Sequence, residues 1–188
     1  MPPAMDRPQQ LASFEHLGDA SRFASQIHAL IPRCPLLENF STPEVRLLAH
    51  FMEVYRAQPG MEVLVEGEGG DFMLMILEGR VEVRKRDRWN TQQLIATVEA
   101  GYTLGEMSMI DGEARFATCV AVAPLVFAVL DRDSLARIIV EQPMLGAKIL
   151  MELVLMLSRR LRSTGTRLLG LLDEKPPADT EEGTPALS

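Results

Sequence analysis

The sequence predicts a mostly β fold with flanking α, a jelly-roll barrel or sandwich with helices before and after it. Three observations lead there. Between Met52 and Leu130, short segments that alternate or run continuously apolar are divided by turns at near-regular spacing, as in a sandwich or barrel. On both sides of that region the apolar residues recur at helical spacing instead. The chain of 188 residues with 47% hydrophobic content can bury a sizeable core, so one domain with appendages is expected.

Taken in order, residues 1–12 carry Pro and Gln and read as a disordered tail. Phe14, Leu17, Phe23, Ile27, Leu30 and Ile31 fall at helical spacing. A helix over 13–34 is therefore expected, packed on the domain or offered to a partner, and ended by Pro32 and Pro35. Ser41-Thr42-Pro43-Glu44 then starts a second helix: a hydroxyl cap, Pro in the first turn, and Glu placed to reach back. In the barrel, Met61–Glu66 roughly alternates, Val81–Arg84 does so cleanly, and Phe72–Leu77 is a continuous run suited to a buried strand. Turns are expected at Gly60, Gly67–Asp71, Gly79, Asp87–Asn90 and Gly101, and Cys119 to Leu130 reads as one apolar strand. Asp131-Arg132-Asp133-Ser134 opens a helix to Gln142, and Pro143 starts a last helix to Leu172. Along it Leu150, Val154, Leu157, Leu161, Thr164, Leu168 and Leu171 alternate steps of four and three. That is a coiled-coil seam of about three heptads, which favours a homodimer through residues 143–172. Residues 173–188 are acidic and Pro-bearing and read as a second disordered tail.

Composition narrows the function. A net charge of −7 argues against a general nucleic-acid binder. Cys34 and Cys119 make no metal or redox spacing, the N-terminus lacks the pattern of a signal peptide, and the apolar run Ile149–Leu157 is too short to span a bilayer. A cytoplasmic protein without membrane attachment is expected. A metal-binding jelly roll would need His and carboxylate ligands on its strands, but His16, His28 and His50 all fall on predicted helices ahead of the barrel. No metal or cofactor is expected. Ser108 has no His near it, and Cys119 sits in an apolar strand where an inert, buried thiol is the default, so no enzyme is expected.

The chemistry concentrates in Leu104–Thr118. Gly105 permits unusual dihedrals and close approach of backbone. The residues after it can open a short helix whose free N–H groups attract a phosphate. Arg115 supplies a planar fork for two phosphate oxygens, and Glu106 can accept from a hydroxyl such as a ribose 2′-OH. Taken alone, the same residues would also suit a Glu–Arg ion pair across a β-turn.

This stretch resembles the phosphate-binding cassette of the cyclic nucleotide-binding domain family, which includes the catabolite activator protein and the regulatory subunits of cAMP-dependent protein kinase. Gly105, Glu106, Arg115, Ala117 and Thr118 match the family pattern, whereas Leu104, Ser108 and Ala114 replace a Phe, an Ala and a Pro. The likeness extends upstream through Gly60–Glu68, Asp71 and Glu78–Val83, and covers 36–172. It implies a cyclic nucleotide-binding barrel over 35–142 and cAMP as the ligand. Glu106 would hold the ribose 2′-OH. Arg115 and the amides of Gly105 to Met107, with Ser108 beside them, would hold the cyclic phosphate. Leu74, Leu104 and Ala117 would line the pocket. Phe116 stands where the family has a small or hydroxyl residue, and a Thr there favours cGMP in some members. Its phenyl ring would stack on a purine or crowd it, which leaves a cyclic dinucleotide as an alternative ligand. In the catabolite activator protein a Thr-Ser pair after a similar Arg-Arg-Leu meets the adenine. Thr164 is thereby implied as a base contact, where the residues alone would equally suit register setting or a bond back to the carbonyl one turn earlier. Arg160, clustered with Arg159, Arg162 and Arg167, reads as part of a solvated face or as an arginine able to reach a bound phosphate. The 16 residues after Leu172 are too few for a helix-turn-helix, so no specific DNA binding is expected. The downstream protein partner is not named by the sequence. A pocket that has lost its ligand, on a dimeric interaction module, is the rival reading.

Overall fold

The computed structural model describes residues 9–173. Among these residues, nine strands form two antiparallel sheets. The five-stranded sheet has the order β1 (Glu15–Asp19), β2 (Glu53–Ala57), β9 (Leu125–Asp131), β4 (Phe72–Glu78), β7 (Thr103–Leu104). The four-stranded sheet runs β3 (Glu62–Leu64), β8 (Thr118–Ala121), β5 (Arg80–Arg86), β6 (Gln92–Glu99). Helices α1 (Ala24–Ala29) and α2 (Thr42–Ala49) precede the sheets' main body. A short α3 (Glu106–Asp111) interrupts it, and α4 (Arg132–Glu141) and α5 (Pro143–Asp173) follow.

The core is built from both sheets. Phe72, Leu74 and Ile76 of β4 and Leu125, Phe127 and Val129 of β9 recur every second residue and share one cluster with Val63, Val81, Cys119 and Ala121. The intervening Met73, Met75, Val126 and Ala128 are buried as well. These strands are thus covered on both faces, which is why they read as unbroken apolar runs. Cys34 shows what covers one of them, its thiol lying 3.7 Å from the Met75 sulfur.

The chain divides into two compact units, Met1–Leu153 and Val154–Ser188. The expected dimer helix therefore starts inside the first unit. Within that unit Lys148 of α5 bonds Glu44 of α2, and Asn39 donates to Glu152 at 2.7 Å.

Several expectations need correction. The tail expected over 1–12 ends earlier, because Gln9–Ser13 forms a 3-10 turn that buries Leu11 in the core beside Phe14. The helix expected over 13–34 opens as strand β1, paired with β2, and only Ala24–Ala29 is α-helical. Gly18, at φ +103°, sits at a register shift in that pairing, a conformation no helix contains. His16 consequently lies on a strand, 2.6 Å from Glu53. The single strand expected from Cys119 to Leu130 is two strands in different sheets, broken before Leu125 by Pro124, which has no N–H to give. Strand β6 has no counterpart among the expected elements. The expected tail over 173–188 lies, save for Asp173 at the end of α5, outside the described residues, as do residues 1–8 of the first.

Candidate functional site

β7 ends at Leu104, the next residue, Gly105, turns the chain into α3 with a φ of +83°, and Gly112, at +78°, ends that helix. The chain then returns along the loop after β3. Arg115 N–H donates to Glu68 O at 2.8 Å, and Gly67 N–H donates to Arg115 O at 2.9 Å. This pairing fixes the backbone at Arg115 and sends its side chain inward.

Arg115 is 3% exposed. Its Nη1 donates to the carbonyls of Phe72 at 2.8 Å and Gly105 at 2.9 Å, and its guanidinium carbon lies 4.5 Å from the centre of the Phe72 ring. Its Nε and Nη2 are buried without a hydrogen-bond partner. Gly70 lies against that edge: a Cβ there would come within 2.1 Å of Nε, and one at Gly105 within 2.7 Å of Nη1. Burial pulls the guanidinium pKa down, and the nearby charges of Asp71 and Glu106 offset only part of that shift.

Glu106, the first residue of α3, is buried. Burial first, and the nearby Glu106 charge second, raise the Cys119 thiol to about 12, so this cysteine stays protonated and unreactive. Ser108 is buried and Met107 half-exposed on the same helix. Leu104 and Leu74 pair across β7 and β4 and both belong to the core, and Ala117 is buried.

Phe116 is different, at 58% exposed between buried Arg115 and Ala117. Lys85 caps its ring at 4.5 Å and also bonds its carbonyl at 2.7 Å and the Glu66 carboxylate at 2.8 Å. The Lys85 bond leads in holding the Glu66 carboxyl below its ordinary range. Arg160 and Thr164 belong to the second unit, where Thr164 Oγ1 donates to Arg160 O at 2.9 Å, one turn back in its own helix. The structure thus brings together Gly105, Glu106, Ser108, Arg115 and the core residues Leu74, Leu104 and Ala117.

Three participants escape sequence reasoning. Gly70 and the Phe72 carbonyl cradle Arg115, and only the Gly69-Gly70 pair hinted at a close approach. Arg132 donates through Nε to Met109 O at 2.8 Å and through Nη2 to Ser108 O at 2.9 Å, closing the end of α3. In sequence it reads only as the first residue of α4. Among the described residues no three His, Cys, Asp or Glu side chains converge on a metal position. No helix there is long and apolar enough to cross a membrane.

Two antiparallel sheets enclosing one core, with a glycine-capped α3 and a buried arginine returning to its start, define a cyclic nucleotide-binding domain. The chain belongs to that family: the family's model, described as the cyclic nucleotide-binding domain, matches residues 55–142. A solved cyclic nucleotide-binding domain from Methylobacillus flagellatus is 39% identical, covers 87% of this chain and 96% of its own, and superposes with a TM-score of 0.78. The cAMP-dependent protein kinase regulatory subunit of Yarrowia lipolytica is 28% identical over 61% of this chain and 30% of its own. The CRP-like cAMP-activated global transcriptional regulator of Mycobacterium tuberculosis is 24% identical over 76% of this chain and 62% of its own. The chain therefore spans less than two thirds of either of these two relatives.

Proposed function

We propose that this chain is a cytoplasmic cAMP receptor that passes occupancy of its pocket to its C-terminal helices. One observation carries the reading. Arg115 keeps two buried donor nitrogens, Nε and Nη2, without acceptors, and an unfilled buried donor on a cation is costly unless an acceptor is supplied. A cyclic phosphate supplies two oxygens in the plane that guanidinium prefers. Glu106 would accept from the ribose 2′-hydroxyl, and the amides of Gly105 to Met107 would complete the phosphate contacts. Phe116, with no hydroxyl to offer, argues against cGMP. The regulatory subunit and the transcriptional regulator named above bear cAMP in their names, which supports the choice. Pairing of α5 with a second copy would form the homodimer.

A second reading has its own observation. The two unfilled donors face Gly70, not solvent, so the guanidinium must turn to meet a ligand. A vestigial pocket in an interaction module would also look this way. Calorimetric titration with cAMP, cGMP and cyclic di-GMP separates the readings. Saturable heat with cAMP, and weaker heat with the others, is expected. No heat from any of the three at millimolar concentration would leave the interaction module standing.

A further inference from the structure

The far end of the β5–β6 hairpin lies outside the site described above. β8 pairs with β5 as far as Arg84 and Thr118, and β6 is an edge strand, so beyond Arg84 the hairpin runs on as a two-stranded ribbon. Asp87 fixes its turn. The Asp87 carboxylate accepts from the N–H groups of Trp89 and Thr91, both at 2.9 Å, and from Gln93 Nε2 at 3.0 Å. Trp89, the one tryptophan of the chain, stands on this turn 70% exposed, with the Arg88 guanidinium carbon 3.9 Å from its ring centre. Leu94 and Ile95 on the returning strand are exposed as well. Residues 84–95 carry Arg84, Lys85, Arg86 and Arg88 against Asp87, a net +3, which leaves −10 for the rest of a chain of net charge −7. Arg84 is paired with Glu82 and Lys85 with Glu66. Arg86 reaches the neutral Asn90 side-chain oxygen at 3.4 Å and Arg88 lies on the indole, so among the described residues these two cations have no carboxylate partner. We propose that this end of the hairpin is a docking site for an anionic lipid surface.

Three features choose that occupant. An indole, with its apolar body and polar N–H, suits the boundary between headgroups and acyl chains. Leu94 and Ile95 supply further apolar side chains beside the cations, and a nucleic acid or an acidic peptide would use the cations but not these two. Each cation near an anionic bilayer adds attraction, while the acidic remainder of the chain is repelled, so the hairpin approaches first. A two-stranded turn is also convex. Peptides and small molecules are held by concave walls, whereas a bilayer needs none. The Asp87 carboxylate does not cancel the attraction, because its oxygens are taken up by the turn itself. Neither a membrane-crossing helix nor a signal pattern is needed for a contact that stays at the surface, and to that extent the proposal replaces the expectation of a protein without membrane attachment. It is independent of the nucleotide reading, since Arg86, Arg88 and Trp89 take no part in the pocket.

Because Trp89 is the one tryptophan, its emission reports on this hairpin. Full-length protein is mixed with vesicles of phosphatidylcholine, and with vesicles of equal parts phosphatidylcholine and phosphatidylserine, and Trp89 emission and co-sedimentation are both followed. The vesicles containing phosphatidylserine should shift the emission to shorter wavelength and carry the protein down. Raised salt should reverse both effects, and phosphatidylcholine vesicles should produce neither. The double variant Arg86→Gln, Arg88→Gln should melt as wild type does and partition about 25-fold more weakly, about fivefold for each cation. Trp89→Ser, read by co-sedimentation, should also bind more weakly than wild type. If the double variant fails to fold, Trp89→Ser and the lipid and salt dependence of wild type decide the matter. Wild type that ignores the phosphatidylserine vesicles, binds both kinds of vesicle equally, or partitions no better than the folded variants overturns the proposal. An equal emission shift with soluble poly-glutamate overturns it too, in favour of an acidic peptide as the occupant.

Discussion

Gly69 and Gly70 are neighbours with opposite surroundings. A Cβ at Gly69 meets nothing within 4 Å, whereas one at Gly70 strikes the Arg115 guanidinium. Gly70→Ala should displace that group from the Phe72 and Gly105 carbonyls and cost about 1–3 kcal/mol of stability. Gly69→Ala should be neutral or gain up to about 1 kcal/mol by stiffening the unfolded chain. Urea unfolding of the pair checks this, and equal effects would contradict the packing described. At this scale Gly105, Glu106 and Arg115 were legible, because glycine, carboxylate and arginine in that order carry chemistry wherever the loop goes. Gly70, the Phe72 carbonyl and Arg132 were not. Their roles depend on which backbone carbonyl each arginine meets, and that follows from the path of the loops, not from residue type.

At the scale of elements, α2 and the start of α5 are latched by Glu44 and Lys148. Lys148 donates to both Glu44 oxygens at 2.9 and 2.8 Å, and Ser41 N–H and Oγ donate to one of them at 2.7 Å. Led by the Lys148 bond, these hold the Glu44 carboxyl at about 2, below its ordinary 4.5. A carboxyl depressed in the folded state stabilises fully above its ordinary pKa and ceases to do so as pH falls through the folded value. Wild type should therefore lose stability between about 4.5 and about 2 more steeply than Glu44→Gln. Denaturant midpoints across that range test it, and parallel profiles would contradict it. The capping box at Ser41–Glu44 was legible because it is local: every participant lies within one turn. Strand β1 was not, because its Leu17 falls into a helical spacing with Phe14 before it and Phe23 and Ile27 after it, while the pairing that makes it a strand comes from β2, some forty residues on. β6 escaped for another reason. It is an edge strand with much of its surface exposed, so no buried face imprinted a pattern on it.

For the whole molecule, the two-sheet fold was legible from turn spacing and alternation, and the family from the cassette. Assembly is a separate matter. Along α5 the seam residues Val154, Leu161 and Leu168 are 62%, 75% and 57% exposed in a single chain. Such a stripe is stabilised by covering it with a like stripe. Light scattering should give twice the chain mass of 20.9 kDa for wild type, and the chain mass itself for a Leu161→Arg, Leu168→Arg variant that remains folded. A wild type that runs at the single-chain mass would contradict the dimer. The central claim is that the unfilled donors of Arg115 await a cyclic phosphate, and calorimetric titration of cAMP into wild type, Arg115→Ala and Arg115→Lys tests it most directly. Wild type should bind saturably, and Arg115→Ala should lose about 2–5 kcal/mol while staying folded. Arg115→Lys should recover only part of that loss, since an ammonium lacks the fork. Equal affinity in wild type and Arg115→Ala, or no binding by wild type, would contradict the account.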